Sequence, residues 1–385
     1  MKKLAIGMMS GTSLDGIDIL IAEIEGTYTQ TKVNQLAYQT YPFEPSLLEK
    51  IRKGFSIKTS SSELLCSLNF ELGEAFASAA KRLCEETNIQ MDDISFIASH
   101  GQTIFHIGSP YDGLVSSSLQ LGEGAVIASR CKTTVVSNFR AADIAVGGQG
   151  APLVPYADFI LFQSETHSRA IHNIGGIANM SILSKGCLAD DVFAFDSGPG
   201  NMMIDYAMKK LFDKPYDEFG DTARKGKLIK AFMEELMSHP YLKQIPPKST
   251  GRETFGDQFT EILISKYMNY PKEDIIHTLT MFTAYTIVDS YKRFILPKVK
   301  IDEIIFCGGG SYNKYLLESI QKELHPIEIK VLEDLGMNSN SKEALAFLIL
   351  GNETLHMNPS NLKQATGAKQ NVILGQVNYY FKGNL

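Results

Sequence analysis

The stretch Leu4-Ala-Ile-Gly-Met-Met-Ser-Gly-Thr-Ser-Leu-Asp-Gly-Ile-Asp-Ile-Leu-Ile-Ala-Glu-Ile-Glu25 decides the fold. Residues 4–9 form the short apolar run of a buried strand, 10–16 are polar with two glycines, and 17–25 read as a second strand. A strand, a Gly/Ser/Thr tip and a returning strand make a hairpin suited to an anionic ligand. Where Cβ is missing, backbone N–H groups can approach phosphate oxygens closely.

Working outward, an extended run over 33–41 follows, then Pro42 and Pro45, helical patterns over 46–53 and 62–86, and a strand over 94–99 that ends at His100-Gly-Gln-Thr103. The opening order then recurs. Residues 169–174 are apolar and β-prone, Gly175-Gly176 turns, and 177–183 returns; later come a strand over 303–307, Gly308-Gly309-Gly310 and a helix over 314–323. Two α/β halves, each with a glycine turn at a strand end, make a nucleotide-binding architecture. Residues 119–155, dense in Gly and Pro, are read as the join. The expected division is an N-terminal lobe over 1–135 and a C-terminal lobe over 136–385, with the C-terminal segment packing back on the N-terminal lobe.

The chain has 385 residues, more than one hydrophobic core usually serves. Acidic residues outnumber basic ones, 43 to 37, and the charges are dispersed, which argues against nucleic acid, since its binding rests on phosphate neutralisation. Five scattered cysteines without a CxxC pair indicate neither a disulfide framework nor a zinc site, and suit a reducing cytoplasm. The apolar start is interrupted by Ser10, Gly11 and Asp15 before it can serve as a signal segment, and no apolar stretch reaches the roughly 20 residues of a membrane span.

Rival phosphate motifs fail on spacing. Gly220-Asp-Thr-Ala-Arg-Lys-Gly-Lys227 has Leu228 where a P-loop needs Ser or Thr, and Gly122-Glu-Gly124 has Ile127 where a dinucleotide fingerprint needs a small residue. In Phe193-Ala-Phe-Asp-Ser-Gly-Pro-Gly-Asn201 an apolar run ends on Asp196, immediately before a turn and an expected helix over 202–211. A carboxylate there can act as general base or can simply stabilise the turn. Gln102, Thr103, Asn138, Arg140 and Asp143 offer the amide, hydroxyl, guanidinium and carboxylate groups that orient a sugar. Arg140 and Asp143 can equally form an ion pair bracing the join, and His100 alone is more often structural than catalytic. Glu343, in Ser341-Lys-Glu-Ala-Leu-Ala-Phe347, looks like a helix start in which the acid favours the dipole.

Together Gly7-Met-Met-Ser-Gly-Thr-Ser-Leu-Asp-Gly-Ile-Asp18, His100-Gly-Gln-Thr103, Asn138-Phe-Arg-Ala-Ala-Asp143, Gly147-Gly-Gln-Gly-Ala-Pro-Leu153, Asn173-Ile-Gly-Gly-Ile-Ala-Asn179 and Asp196-Ser-Gly-Pro-Gly-Asn201 resemble, in order, the motif series of the anhydro-N-acetylmuramic acid kinases. Thr250-Gly-Arg-Glu253, Cys307-Gly-Gly-Gly-Ser-Tyr-Asn313, Lys342-Glu-Ala-Leu-Ala-Phe347 and Thr366-Gly-Ala368 continue the series, so the resemblance spans the chain.

The resemblance implies the two-lobed actin-like ATPase fold of sugar kinases, Hsp70 and actin, with a duplicated mixed-sheet core and an interlobe cleft. It implies ATP-dependent opening of 1,6-anhydro-N-acetylmuramic acid to N-acetylmuramic acid 6-phosphate in cell-wall recycling, with ATP and Mg²⁺ as cofactors, a homodimer, and no nucleic-acid or membrane partner. By that pattern Gly11, Thr12, Ser13, Leu14, Asp15, Gly16, Ile17 and Asp18 contact ATP phosphates. Gly175 and Gly176 assist them, and Gly308, Gly309, Gly310 and Asn313 lie near the adenosine. Asp196 is the catalytic base, with Glu343 a second acidic residue of the active site. Gln102, Thr103, Asn138, Arg140 and Asp143 are the expected substrate-binding residues. The first hairpin has Met8-Met9-Ser10 where an Asp commonly begins it, and the magnesium ligands are left open.

Two other readings compete. One is an ordinary hydroxyl kinase of the same fold acting on an open amino sugar. The other is a non-catalytic nucleotide switch, which would usually need an added peptide-binding or polymerising segment.

Overall fold

The structure is a computed structural model that describes residues 2–11 and 14–381; Thr12 and Ser13 of the first hairpin lie outside the described residues. Two compact units emerge, one made of residues up to Leu161 together with Ser341 onward, the other of Phe162–Asn340.

In the first unit β1 (Lys3–Ser10), β2 (Ile17–Glu25) and β3 (Lys32–Tyr41) form an antiparallel meander, and β4 (Ile94–Ile107) lies parallel to β1 on its other side. Antiparallel β5 (Ser117–Leu121) and parallel β6 (Thr134–Ser137) both pair with β4. Strand β1 is central and buried, which explains its unbroken apolar run, whereas edge strand β3 alternates between covered and exposed residues.

The second unit repeats this order. Its β7 (Arg169–Ile174), β8 (Ile177–Leu183) and β9 (Phe193–Pro199) are antiparallel, β10 (Glu303–Cys307) is parallel to β7, and β11 (Glu328–Val331) is parallel to β10. Read from β3 and from β9, both sheets run third, second, first, fourth, fifth strand of their unit's core. This duplicated mixed sheet with flanking helices is the α/β, actin-like arrangement expected from the sequence.

The division of the chain differs from the 1–135 and 136–385 split. A cut at 135 would pass through β6, which is a strand of the first sheet. The Gly- and Pro-rich stretch read as a join in fact supplies β5, the helix Gly124–Cys131, β6 and the helix Arg140–Ala145 to the first unit. The chain also returns there: β12 (Gln376–Asn378) pairs with β6, and the buried helix Lys342–Leu355 packs on β1 and β4. Two glycines permit that approach. A Cβ on Gly7 would stand 2.1 Å from the carbonyl oxygen of Ala344, and one on Gly351 would stand 2.6 Å from Cβ of Ala98.

The apolar face of the first sheet closes over Leu68, Leu72, Phe76 and Ala80 of the helix Ser62–Glu86. In the second unit Ile174, Met180, Phe195, Ile304 and Phe306 meet Ile287 and Tyr291 at the end of the helix Lys272–Ser290. Among the described residues, no helix is long and apolar enough to cross a membrane.

Candidate active site

In the first unit the hairpin tip is fastened to the middle of β4, which continues to Ile107 instead of ending after residue 99. The Ser10 hydroxyl lies 2.7 Å from Oε1 of Gln102 and 2.8 Å from the Gly16 carbonyl, while Nε2 of Gln102 donates to the Gly11 carbonyl at 3.1 Å. Pairing jumps from Met8↔Ser99 to Ser10↔Gln102, so an extra residue is accommodated in β4, where Gly101 has φ +74°. Gly16 must be glycine, because its φ is +150° and a Cβ would stand 2.3 Å from the Tyr41 carbonyl oxygen. Leu14 also has positive φ, and Asp15 is exposed.

Asp18, half-buried on β2 next to Ile17, accepts from Tyr38 Oη at 2.7 Å and from Thr40 Oγ1 at 2.6 Å. Burial pushes its carboxyl above the usual range, against those two hydrogen bonds and with help from Asp15. Glu343, in the first turn of the helix Lys342–Leu355, is raised too, first because the surrounding protein displaces water and then by the charge of Asp18. It nevertheless keeps a solvent-facing surface. Arg140 and Lys342 pull it the other way.

Arg140 donates from Nε to Nε2 of His100 at 3.1 Å and from Nη1 to the Gly150 carbonyl at 2.7 Å. A guanidinium has no acceptor, so His100 Nε2 must be unprotonated, and Nδ1–H donates to the Gly101 carbonyl at 2.9 Å. Burial and the facing Arg140 keep the ring neutral. Arg140 is itself brought down to about 10 by burial, opposed by Glu343 and Asp143. His100 is thus a buried, orienting partner.

Asp143 is fully buried and committed to the protein. Its Oδ2 accepts from Gly150 N at 2.8 Å, and its Oδ1 from Asn361 Nδ2 at 2.9 Å and Thr366 Oγ1 at 2.8 Å. It holds the 147–150 loop to the C-terminal segment. Gln102 similarly uses its amide to fasten the hairpin. Thr103 is half-buried and accepts from Gln120, and Asn138 is exposed with φ +55° just before the helix Arg140–Ala145.

In the second unit three glycine turns gather. The backbone N–H groups of Gly200 and Met202 donate to Gly176 and that of Asn201 to Gly175. A Cβ on Gly200 would lie 2.1 Å from the Gly175 carbonyl oxygen, and one on Gly310 would lie 2.2 Å from Cγ2 of Ile174 and 2.9 Å from Oδ1 of Asn201. Gly308 has φ +81°, and Gly309 is exposed beside Asn201. Asn313 caps the helix Lys314–Leu324, its Oδ1 accepting from Leu316 N at 3.0 Å.

Asp196 stands on β9 one residue before a bulge, since Asn179 pairs with Asp196 and Ala178 with Gly198, leaving Ser197 extra. Its N–H donates to the Lys248 carbonyl at 3.0 Å, its carbonyl accepts from Tyr241 Oη at 2.6 Å, and its Oδ2 accepts from Thr250 N at 2.8 Å. Oδ1 has no hydrogen-bond partner among the described residues. Burial raises the carboxyl to about 6, opposed by Thr250 N–H and Lys248 and reinforced by Glu253. A half-buried carboxylate with one oxygen tethered, the other open, and a proton affinity near neutrality is equipped to take a proton.

The clamp of Tyr241, Lys248 and Thr250 around Asp196 was not anticipated in the sequence. Thr250-Gly-Arg-Glu253 marked the neighbourhood, but nothing in the spacing points Tyr241 at a strand some 45 positions earlier.

Comparison with known proteins identifies the family. The family model described as anhydro-N-acetylmuramic acid kinase matches residues 3–380. A Francisella tularensis subsp. novicida protein named anhydro-N-acetylmuramic acid kinase is 53% identical over 378 residues, covering 98% of this chain and 99% of its own. Proteins of the same name from Clostridioides difficile and Bacillus cereus (strain Q1) are 50% and 49% identical, each covering 97% of this chain and 97% and 98% of their own. The chain belongs to the anhydro-N-acetylmuramic acid kinase family.

Proposed function

We propose that this chain uses ATP and water to open 1,6-anhydro-N-acetylmuramic acid and phosphorylate its O6, giving N-acetylmuramic acid 6-phosphate and ADP. As a kinase it transfers a phosphoryl group; the additional step is hydrolytic cleavage of the anhydro bridge. The observation that carries the reading is Asp196, with Oδ2 held by Thr250 N–H and Oδ1 open.

In this reading Oδ1 takes a proton from water as the water attacks the anomeric carbon. The bond from that carbon to O6 breaks, and O6 attacks the γ-phosphorus of ATP as the bond to the β-phosphate oxygen breaks. An ordinary inverting glycosidase needs a second carboxylic acid to protonate the leaving oxygen; here the phosphoryl group takes that place. By the family pattern, backbone N–H groups of Gly11 and Gly16 in the first unit, and of Gly175, Gly176, Gly308, Gly309 and Gly310 in the second, would serve the nucleotide. Asn313 supports the last of these as a helix cap, while Asp143 and Gln102 hold loops that present Arg140, Thr103 and Asn138 to sugar.

Magnesium belongs to the same proposal. Among the described residues no group of three His, Cys, Asp or Glu could hold a metal, so the nucleotide and water would complete its shell. Asp18 fits as the protein's contribution, because its carboxylate is raised by burial and faces the charges of Asp15 and Glu343, a setting that favours a cation. Bound there, the ion would neutralise phosphate charge. A homodimer and a cytoplasmic location are further parts of the proposal, the first supported by the family resemblance and the second by five free cysteines.

Product analysis tests the reading. Incubation with ATP, Mg²⁺ and the anhydro-sugar is expected to give a 6-phosphorylated open sugar in step with ADP. Phosphorylation of open N-acetylmuramic acid or N-acetylglucosamine with none of the anhydro-sugar would instead favour the ordinary hydroxyl kinase, which the relatives' names do not.

A further inference from the structure

Lys248 is 8% exposed, yet its ammonium has no hydrogen bond and no ion pair among the described residues. It rests on two rings, with Nζ 4.4 Å from the centroid of Tyr241 and 5.5 Å from that of Phe294. Burying a lysine without a carboxylate partner is costly, and such residues are rare. Cation–π contact recovers part of that cost at a partly desolvated site.

The surroundings connect this lysine to one residue. Tyr241, whose ring carries the ammonium, donates its hydroxyl to the Asp196 carbonyl; the backbone carbonyl of Lys248 accepts the Asp196 N–H; and two residues on, Thr250 N–H holds Asp196 Oδ2. Tyr241 is 3% exposed and packs edge-on against Phe255 at 5.6 Å, so the platform is fixed.

We propose that Lys248 is a positioning residue for the catalytic base: its ammonium, seated on Tyr241 and Phe294, places a positive charge on the ring that is hydrogen-bonded to Asp196 and favours the carboxylate form, while its backbone and that of Thr250 set which carboxylate oxygen faces the reaction. The inference rests on the reading of Asp196 as the base. The charged groups around the pair are few. Glu253 faces Asp196 from the helix Arg252–Phe255 and opposes ionisation. Asp289 faces Lys248 from the helix Lys272–Ser290, and Arg293 faces it from the following turn; these two pair with each other at 2.9 Å. Among the described side chains Lys248 is the cation that favours the charged form of Asp196; burial, with the facing Arg293, brings its ammonium down to about 8, so it is still charged where Asp196 titrates.

The test is the pH profile of kcat/KM on the anhydro-sugar for wild type, Lys248→Met, Lys248→Gln and Lys248→Arg, each checked for folding by thermal melting. Both neutral variants are expected to move the acid limb upward by roughly half a pH unit or more, so that activity falls about twofold or more near pH 6 and recovers toward the wild-type value at pH 8. Lys248→Arg keeps the wild-type limb. Neutral variants with an unmoved limb and a uniform loss across pH would overturn the proposal, as would failure of both to fold, which would make Lys248 a structural residue. A wild type that does not phosphorylate the anhydro-sugar would instead remove the reading of the reaction.

Discussion

The backbone N–H of Thr250 lies 2.8 Å from Oδ2 of Asp196, and that single hydrogen bond makes the two oxygens of a half-buried carboxylate unequal. One is tethered; the other is free to hold a proton. With its carboxyl raised to about 6 by burial, Asp196 is mostly ionised at pH 7 and still basic enough to accept a proton from water.

Loss of the base should therefore cost rate more than affinity. Asp196→Asn is expected to lower kcat by about 10²–10⁴-fold with little change in KM, measured by coupled ADP release. In wild type kcat/KM should fall about tenfold per pH unit well below pH 6, because protonating Asp196 removes the base.

Asp143 is a structural acceptor for three donors, so Asp143→Ala leaves Gly150 N, Asn361 and Thr366 without it. Each unsatisfied buried group costs about 1–3 kcal/mol, and a loss of roughly 3 kcal/mol or more is expected in urea unfolding. Asp143→Asn, which keeps acceptor capacity, should lose less.

The return of the C-terminal helix depends on a bare backbone. Gly7→Ala places Cβ 2.1 Å from a main-chain oxygen, a clash that requires the helix Lys342–Leu355 to shift and should cost about 2 kcal/mol or more. Gly54→Ala, inside the helix Pro45–Phe55 and in ordinary contact at 3.4 Å, is the control and should be neutral or stabilising. Comparing their melting temperatures checks the packing directly.

Asp18 carries the opposite sign from a stabilising carboxylate. Its folded-state affinity for a proton is raised, so ionisation at neutral pH works against folding, and the cost appears as pH rises above the unfolded-state value near 4. Asp18→Asn should raise the melting temperature at pH 7, with the gain shrinking toward pH 4. If Asp18 assists magnesium and phosphate binding, the same variant raises KM for ATP.

Much of the fold was legible because central strands advertise themselves. The bounds 17–25, 169–174, 177–183 and 303–307 coincide with β2, β7, β8 and β10, where apolar runs meet glycine turns. The glycines of 119–155 read as a connection, whereas Gly124 opens a helix and β6, of only four residues, is too short to announce itself between short elements. Asp196 was visible as an acid at a strand end before a turn. Its supports were not, because a tyrosine hydroxyl, a lysine on two rings and a threonine N–H converge from separate elements, and only the fold makes them neighbours. Asp143 and Gln102 have the polar character expected of sugar ligands, but their partners in the fold give them a bracing role.

The central claim is that one carboxylate couples ring opening by water to phosphoryl transfer. The most direct measurement is mass spectrometry of the product formed from ATP, Mg²⁺ and 1,6-anhydro-N-acetylmuramic acid in ¹⁸O-labelled water, with Asp196→Asn beside wild type. Label at the anomeric oxygen of a 6-phosphorylated sugar, lost in the variant, is the expected result; a phosphorylated product without label at that oxygen, or labelled product undiminished in the variant, would contradict it.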